Sequence, residues 1–383
     1  MWRHIASNAL SLFVVILIVL GGVVAWAQAQ YRGEGPLQAA ICLRVAPGAT
    51  MRSISADLEA RNAITSGTLF RLGADYSDKS GQLKAGSFLV PERAAMDEIV
   101  DIVTRGGASS CGTEIVMRIG VTAAALQLRE LDPASGRFEE KAAFVPGEDV
   151  PAAFAAAQNQ ADTRYRIALA EGATTYQIVS ALQQADFLEN DLDAFPQEGA
   201  LAPDSYEVRR GSKLSELVTE MERRQAAILA EAWRERAPDL PISTPQEALI
   251  LASIVEKETG LAEERRQVAS VFVNRLNRGI RLQTDPTVIY GVTDGRGNLG
   301  RGLRQSELRR ETPYNTYVIG GLPPTPIANP GRAAIEAALN PDETDFLYFV
   351  ADGTGGHAFA VTLREHNANV AKWRAIEAER ADN

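Results

Sequence analysis

Apolar and polar positions follow several periods along this chain, and each period predicts a different element. From Leu10 to Trp26 nearly every residue is apolar, and no charge falls between Ile5 and Gln30. About 20 such residues cross a bilayer core, so a transmembrane helix is expected over 9–28, after a short tail of residues 1–8. The polar, glycine- and proline-containing stretch 29–41 reads as a juxtamembrane linker.

A duplicated pattern follows. Val45-Ala-Pro-Gly48-Ala-Thr50 matches Leu169-Ala-Glu-Gly172-Ala-Thr174. Ile54, Leu58 and Ile64 recur at the same offsets as Ile178, Leu182 and Leu188. Ser87-Phe88, Val90, Met96, Val100 and Val103 then answer to Ser205-Tyr206, Val208, Leu214, Val218 and Met221. Each copy predicts a strand ending in a Gly turn, a Thr cap and a helix, then another strand and helix. The copies occupy 42–110 and 165–242. Residues 111–164 between them, with alternation over Glu114–Ile119, read as a strand-bearing insertion with loose loops.

The period changes again at Thr244. Thr244 caps a helix, Pro245 suits its first position, and Glu247 completes a capping box. Ala248 to Val255 is apolar on nearly every face, which predicts burial. The apolar run stops at Glu256 and Glu258, flanking Lys257. Helices are also expected over 214–236, over 263–277 with Gly279 as the stop, over 331–339, and from His366 to near Trp373. Phe346–Val350 predicts a buried strand, and 353–359 a hairpin. Leu282 to Gly291 mixes Gln283, Asp285, Thr287 and Tyr290, and reads either as a pocket wall or as a polar loop entering a strand. Thr293–Glu311 reads as a surface excursion. Four prolines within 323–330 forbid helix and central strand. The fold class expected is α+β, with residues 243–383 as the last domain.

Composition narrows the function. The 383 residues carry net charge −10, without the clustered Lys and Arg of a nucleic-acid footprint. Arg3 before the apolar segment favours an N-terminus inside and the remainder outside. A cleaved signal peptide is the competing reading, since Ala25, Ala27 and Ala29 offer small-residue sites. The two cysteines, Cys42 and Cys111, bracket one copy of the repeat. They suit a disulfide staple outside the membrane or two buried thiols, and neither has metal-ligand spacing.

Chemistry by elimination leaves a carboxylate. His357 and His366 fit no compact zinc spacing. No nucleophile elbow or P-loop is present, and nothing calls for a cofactor. A carboxylate at the end of a buried helix is costly unless it faces a cleft, is paired or is kept protonated; the last is what a general acid needs. Glu256 and Glu258 point about 200° apart on a helix, so they cannot flank one glycosidic bond as a pair. Either a further acid such as Asp285 completes a pair, or one glutamate works with help from the substrate.

The motifs Ile250-Leu-Ala-Ser-Ile-Val-Glu-Lys-Glu-Thr259, Val268-Ala-Ser-Val-Phe-Val-Asn-Arg-Leu276, Leu282-Gln-Thr-Asp-Pro-Thr-Val-Ile-Tyr290, Pro313-Tyr-Asn-Thr-Tyr317, Gly321-Leu-Pro-Pro324, Ile327-Ala-Asn-Pro-Gly331 and Leu347-Tyr-Phe-Val-Ala351 with Gly356-His357 closely resemble the endolytic murein transglycosylases of the MltG (YceG-like) family. The match is dense from about Gln246 to Trp373, and the anchor and a LysM-like module over 42–110 also fit. The resemblance implies an inner-membrane, single-pass enzyme with a cytoplasmic N-terminus and a periplasmic catalytic region. It implies cleavage of the N-acetylmuramic acid–N-acetylglucosamine link of nascent peptidoglycan to 1,6-anhydro ends, ending strand elongation, with peptidoglycan synthases as partners. Glu256 matches the catalytic glutamate, and Glu258 is expected to be structural, paired with Arg265 or Arg275. Gln283, Asp285, Tyr290, Tyr314, Asn315, Tyr317 and Asn329 are expected to shape the groove, with His357 supporting the site or purely structural. Glu311-Thr312, Thr325 and the 111–164 region depart from the family pattern. A non-catalytic peptidoglycan-binding scaffold and a metal-dependent amidase or peptidase are the competing readings.

Overall fold

The structure is a computed structural model, and it describes residues 2–105, 110–158, 160 and 163–381. The chain divides into two compact units. One comprises Met1–Ile115, Gln127–Ala143 and Asp149–Arg164; the other comprises Val116–Leu126, Phe144–Glu148 and Tyr165–Asn383.

The first unit begins with α1 (Trp2–Arg32). Its stretch Leu12–Arg32 is long and apolar enough to cross a membrane, with mean hydropathy 2.5. The segment after it is less free than its composition suggests. Gly35 N donates to Arg93 O at 3.0 Å, and Arg93 N to Leu37 O at 2.8 Å. The Arg93 guanidinium pairs with Glu34, and Leu37 is buried.

Next come β1 (Ile41–Val45), α2 (Met51–Ala60), α3 (Gly67–Tyr76), β2 (Gly86–Val90) and α4 (Met96–Thr104). Gly48 turns the chain at φ 79°, and Thr50 caps α2 in a capping box with Ser53. Helix α3 opens on its own cap, Ser66. Leu43, Leu58, Phe70, Phe88, Val90 and Ile99 form the core; each such side chain contributes about 1.5–3 kcal/mol on burial. Cys42 and Cys111 form a disulfide with Cα atoms 5.9 Å apart. Strands β3 (Thr113–Ile119), β4 (Ala124–Asp132) and β5 (Arg137–Phe144) and helix α5 (Ala152–Gln158) follow. The division between the units passes through this stretch.

Beyond this stretch come β6 (Arg164–Leu169) and α6 (Thr175–Leu182). Gly172 turns at φ 77°, and Thr174 caps α6 in a capping box with Gln177. The short strand β7 (Leu188–Glu189), then β8 (Ser205–Val208), β9 (Ser212–Lys213) and α7 (Leu214–Arg234) complete this half. The repeat extends to register. Leu43 faces Phe88 and Ile41 faces Val90 in the antiparallel β1–β2 pair. At the corresponding positions Ile167 faces Tyr206 and Tyr165 faces Val208 in β6–β8. The copies differ between their paired strands, where the first has α3 and the second an irregular segment through Phe195 and Glu198.

Helix α8 (Pro245–Glu258) runs next, capped by Thr244 in a capping box with Glu247. Every residue from Ala248 to Val255 is buried. It packs among α7, α9 (Arg265–Asn277), α10 (Asp285–Thr293) and α12 (Arg332–Leu339); the four-residue α11 (Gln305–Leu308) precedes α12. Residues 285–293 are helix, which corrects the reading of a loop entering a strand. Pro286 sits in the first turn, and the buried Thr287 hydroxyl is taken up by Thr284 O at 2.8 Å, so polar residues enter this helix at little cost. The hairpin of β10 (Tyr348–Ala351) and β11 (His357–Ala360) is half-buried rather than buried. The last helix, α13 (Leu363–Ala381), begins before His366 and runs past Trp373; Thr362 and Glu365 cap it reciprocally.

The disulfide closes a loop with a sequence separation of 69. Replacing Cys42 and Cys111 by serine is expected to destabilise the first unit by about 4 kcal/mol. Urea unfolding of the oxidised chain and the double variant, both in mild detergent, measures the difference.

Candidate active site

The carboxylate of Glu256 emerges where the apolar run of α8 ends. Its helix face carries Leu249 and Ser253. The Ser253 hydroxyl donates to Ile250 O at 2.7 Å and accepts from Ile327 N at 3.0 Å. That bond lays the 326–331 loop along the same face. Buried Gln225 on α7 holds the loop from the other side, donating to Pro330 O at 3.0 Å and Gly199 O at 3.2 Å. The loop ends at Gly331, whose N–H donates to Glu256 Oε2 at 2.9 Å.

The facing wall is the turn after β6. Gly172 N donates to Asn329 O, and Asn329 N to Ala173 O, both at 2.9 Å. The Asn329 amide extends this pairing: its nitrogen lies 3.0 Å from Ala173 O and 3.2 Å from Thr175 Oγ1, and its oxygen accepts from Leu201 N at 2.8 Å. Lys257 Nζ donates to Gly172 O at 3.2 Å. A Cβ at Gly172 would lie 3.6 Å from both Glu256 Cγ and Lys257 Cδ, so the turn covers these two side chains closely. Glu171 reaches Gly331 from this turn; a Cβ there would lie 1.8 Å from Glu171 Oε1.

Beneath the turn lies a second buried carboxylate, Glu198. It accepts from Thr175 N at 2.8 Å, from Thr175 Oγ1 at 3.1 Å and from Tyr290 OH at 3.2 Å. Tyr290 packs on Tyr314 with ring centroids 5.0 Å apart, and the Tyr314 hydroxyl lies 2.8 Å from Thr325 Oγ1. Lys257, Gln177, Tyr290, Thr293 and Asn298 line a cleft of about 240 Å³. A separate cleft of about 380 Å³ lies at the other end of α10, among Glu258, Gln283, Asp285, Tyr317 and His366. Glu256 lines neither cleft.

Burial dominates the electrostatics. It pushes the Glu256 carboxyl above the usual carboxylate range; the Gly331 N–H, Arg265 and Lys257 pull it back, and the charge of Glu171 adds to the rise. Burial likewise raises Glu198, opposed by Thr175 and Tyr290, and Glu258, opposed by the Thr284 hydroxyl. It lowers the Lys257 ammonium, opposed by Glu256 and Glu198. Glu256 therefore combines a raised pKa with a hydrogen-bonded, half-buried carboxyl, the state from which a proton is readily delivered.

The expected site residues divide into three groups. Tyr290 and Tyr314 stand beside Glu198 and the Lys257 cleft. Gln283, Asp285 and Tyr317 border the Glu258 cleft, where Tyr317 OH donates to Asp285 Oδ1 at 2.6 Å. Asn315 and Asn329 are fully buried and hold backbone instead of facing a groove. The Asn315 amide nitrogen lies 3.1, 3.1 and 2.6 Å from the carbonyls of Glu307, Leu308 and Arg310. His357 pairs with Glu264, Nδ1 to Oε2 at 2.8 Å. The expected ion pair of Glu258 is replaced by a hydroxyl: Thr284 Oγ1 donates to it, while Arg275 donates to Leu347 O at 2.7 Å and Leu282 O at 2.6 Å. Among the described residues no group of three or more His, Cys, Asp or Glu could hold a metal.

Glu171 and Glu198 were not singled out in the sequence. A signal for the first existed. The two turns match except that the first has Pro47 where the second has Glu171.

The YceG-like family model matches residues 43–372. The chain belongs to this family. Among curated relatives, an endolytic murein transglycosylase of Bacillus subtilis is 36% identical over 185 residues, 48% of this chain and 50% of the relative. An endolytic murein transglycosylase of Streptococcus pneumoniae is 24% identical over 355 residues, 87% of this chain and 58% of the relative. The chain thus spans between half and three-fifths of the length of these YceG-like relatives. A crystal structure of a YceG-like protein from Listeria monocytogenes is similar with TM-score 0.48 and 25% identity, covering 86% of this chain and 98% of that one.

Two outcomes follow from the buried polar groups. Asn329→Ala removes partners from Leu201 N and Thr175, so it is expected to cost about 2–3 kcal/mol, read by urea unfolding. A glutamate whose folded pKa is raised stabilises the fold below its unfolded pKa, and this is lost as pH rises through the folded pKa. Glu258→Gln keeps an acceptor for Thr284 without the charge. Its stability relative to the parent chain is expected to improve as pH rises above the ordinary glutamate range, where the parent loses the contribution of its raised carboxyl, measured by hydrogen exchange of α8.

Proposed function

We propose that this YceG-like chain is a membrane-anchored lytic transglycosylase with Glu256 as its acid and base. The observation supporting this is the Glu256 carboxyl: raised by burial and held by Gly331 N, at the end of a buried helix. The names of the two relatives support the substrate class, the glycan strands of peptidoglycan. Glu256 gives its proton to the N-acetylglucosamine oxygen as the bond to C1 of N-acetylmuramic acid breaks. The substrate's 2-acetamido group stabilises the cation. The C6 hydroxyl then closes on C1 and returns its proton to Glu256, so no water enters the product. The bond made is C1–O6, the bond lost is C1–O4, and the glutamate ends protonated as it began.

Tyr290 and Tyr314 offer aromatic faces for a sugar beside Lys257, and Gln283, Asp285 and Tyr317 offer polar groups at the second cleft. His357 is a support for the loop around Glu264. The β-α-α-β order of residues 41–90 supports a LysM-like module that binds glycan. Helix α1 is long and apolar enough to serve as a single-pass anchor, with the N-terminus cytoplasmic and the units on the outer face of the inner membrane. Peptidoglycan synthases are the partners this placement favours.

The test is digestion of intact glycan strands by the full chain in detergent, followed by mass analysis of the new ends. Anhydro ends are expected. Glu256→Gln is expected to lower their formation by a factor on the order of 10²–10⁴. Hydrated reducing ends, or full activity of the variant, would overturn the reading.

A further inference from the structure

We propose that Glu171 is a second acidic group of this site, a fixed anion that keeps the proton on Glu256. The inference rests on Glu256 being the acid described above. It begins from Gly331, which touches both carboxylates. Its N–H donates to Glu256 Oε2 at 2.9 Å, and Glu171 Oε1 lies 1.8 Å from where a Cβ would stand. The backbone of Gly331 has φ −74°, which any residue adopts. Glycine at this position is therefore not demanded by the turn; it makes room for the carboxylate of Glu171.

The position of Glu171 is held independently of its own side chain. The next two residues, Gly172 and Ala173, pair with Asn329 through two backbone hydrogen bonds of 2.9 Å. Asn329 lies two residues before Gly331 on the same loop. The turn and the loop thus meet in one register, and the backbone of Glu171 is held next to the glycine. The corresponding residue of the first module is Pro47, on a turn of the same shape, so an acid is no requirement of the turn itself.

Exposure tells the two acids apart. Glu171 is solvent-exposed and Glu256 is half-buried, and like charges placed together resist ionising together. Of the two it is the buried member, Glu256, whose carboxyl burial raises and which holds the proton. The groups facing Glu256 are Glu171 from the turn, Lys257 from its own helix, Arg265 from the start of α9, and Gly331 N from the loop. Of the charged ones, Lys257 and Arg265 favour loss of the proton, and Glu171 opposes them. This makes it a positioning residue, acting through Glu256.

The deciding experiment follows the Glu256 carboxyl directly, by carbon-13 NMR of the full chain in detergent with carboxyl-labelled glutamate. The resonance is identified by its disappearance in Glu256→Gln. In Glu171→Gln the Glu256 titration midpoint is expected to move to lower pH. A midpoint that stays in place or rises overturns the proposal. A second readout is the pH profile of anhydro-end formation. The alkaline limb is expected to move to lower pH, with activity on that side reduced roughly threefold, as a solvent-screened charge allows. An equal loss at every pH would mark Glu171 as merely structural and overturn the proposal. Should the parent chain form no anhydro ends, the enzymatic reading fails, while the NMR titration still decides on Glu171.

Discussion

The pairing of Gly172 and Ala173 with Asn329 is the contact on which the site depends. It joins the turn of a small α+β module to the proline-rich loop, and both then close around the end of α8. Two backbone hydrogen bonds and one fully buried amide carry it. Neither segment alone has a regular partner: the turn follows a strand, and the loop has too many prolines to enter a sheet. Removing the pairing would leave buried N–H and C=O groups on both sides without partners, which is why the register is so narrowly fixed.

The raised proton affinity of Glu256 follows from that closure. A capped helix with eight consecutive buried residues carries the acid to one place. The loop supplies one N–H and the turn covers the carboxyl from above. Burial then raises the proton affinity more than one backbone donor can lower it. The lysine beside it is turned onto Gly172 O, so its charge lies on the far side of the turn and only partly offsets the effect.

Much of this was legible in the chain. The capping box and apolar run of α8, the Gly turns, the Thr caps and the repeated order of strand and helix follow from local rules that leave a periodic trace. The angle between Glu256 and Glu258 was likewise fixed once a helix was read. Other features had no such trace. A buried asparagine such as Asn315 or Asn329 and a groove-lining one look alike in sequence, because both appear as polar residues in loops. Helix α10 was missed because the Thr287 and Thr316 hydroxyls meet each other and the Thr284 backbone inside the fold, so the usual polar signal of a surface loop misled. Glu171 and Glu198 lie well before the helix they serve, and periodicity says nothing about tertiary partners.

The short segment after α1 has a mechanical meaning. Tyr31 packs its ring against Gly73 on α3, so closely that a Cβ there would lie 2.1 Å from the ring. Glu34, Gly35 and Leu37 are then tied to Arg93. The apolar helix and the first module are consequently one lever and not a weight on a string. The residues between α1 and β1 act as a splint and not as a free tether.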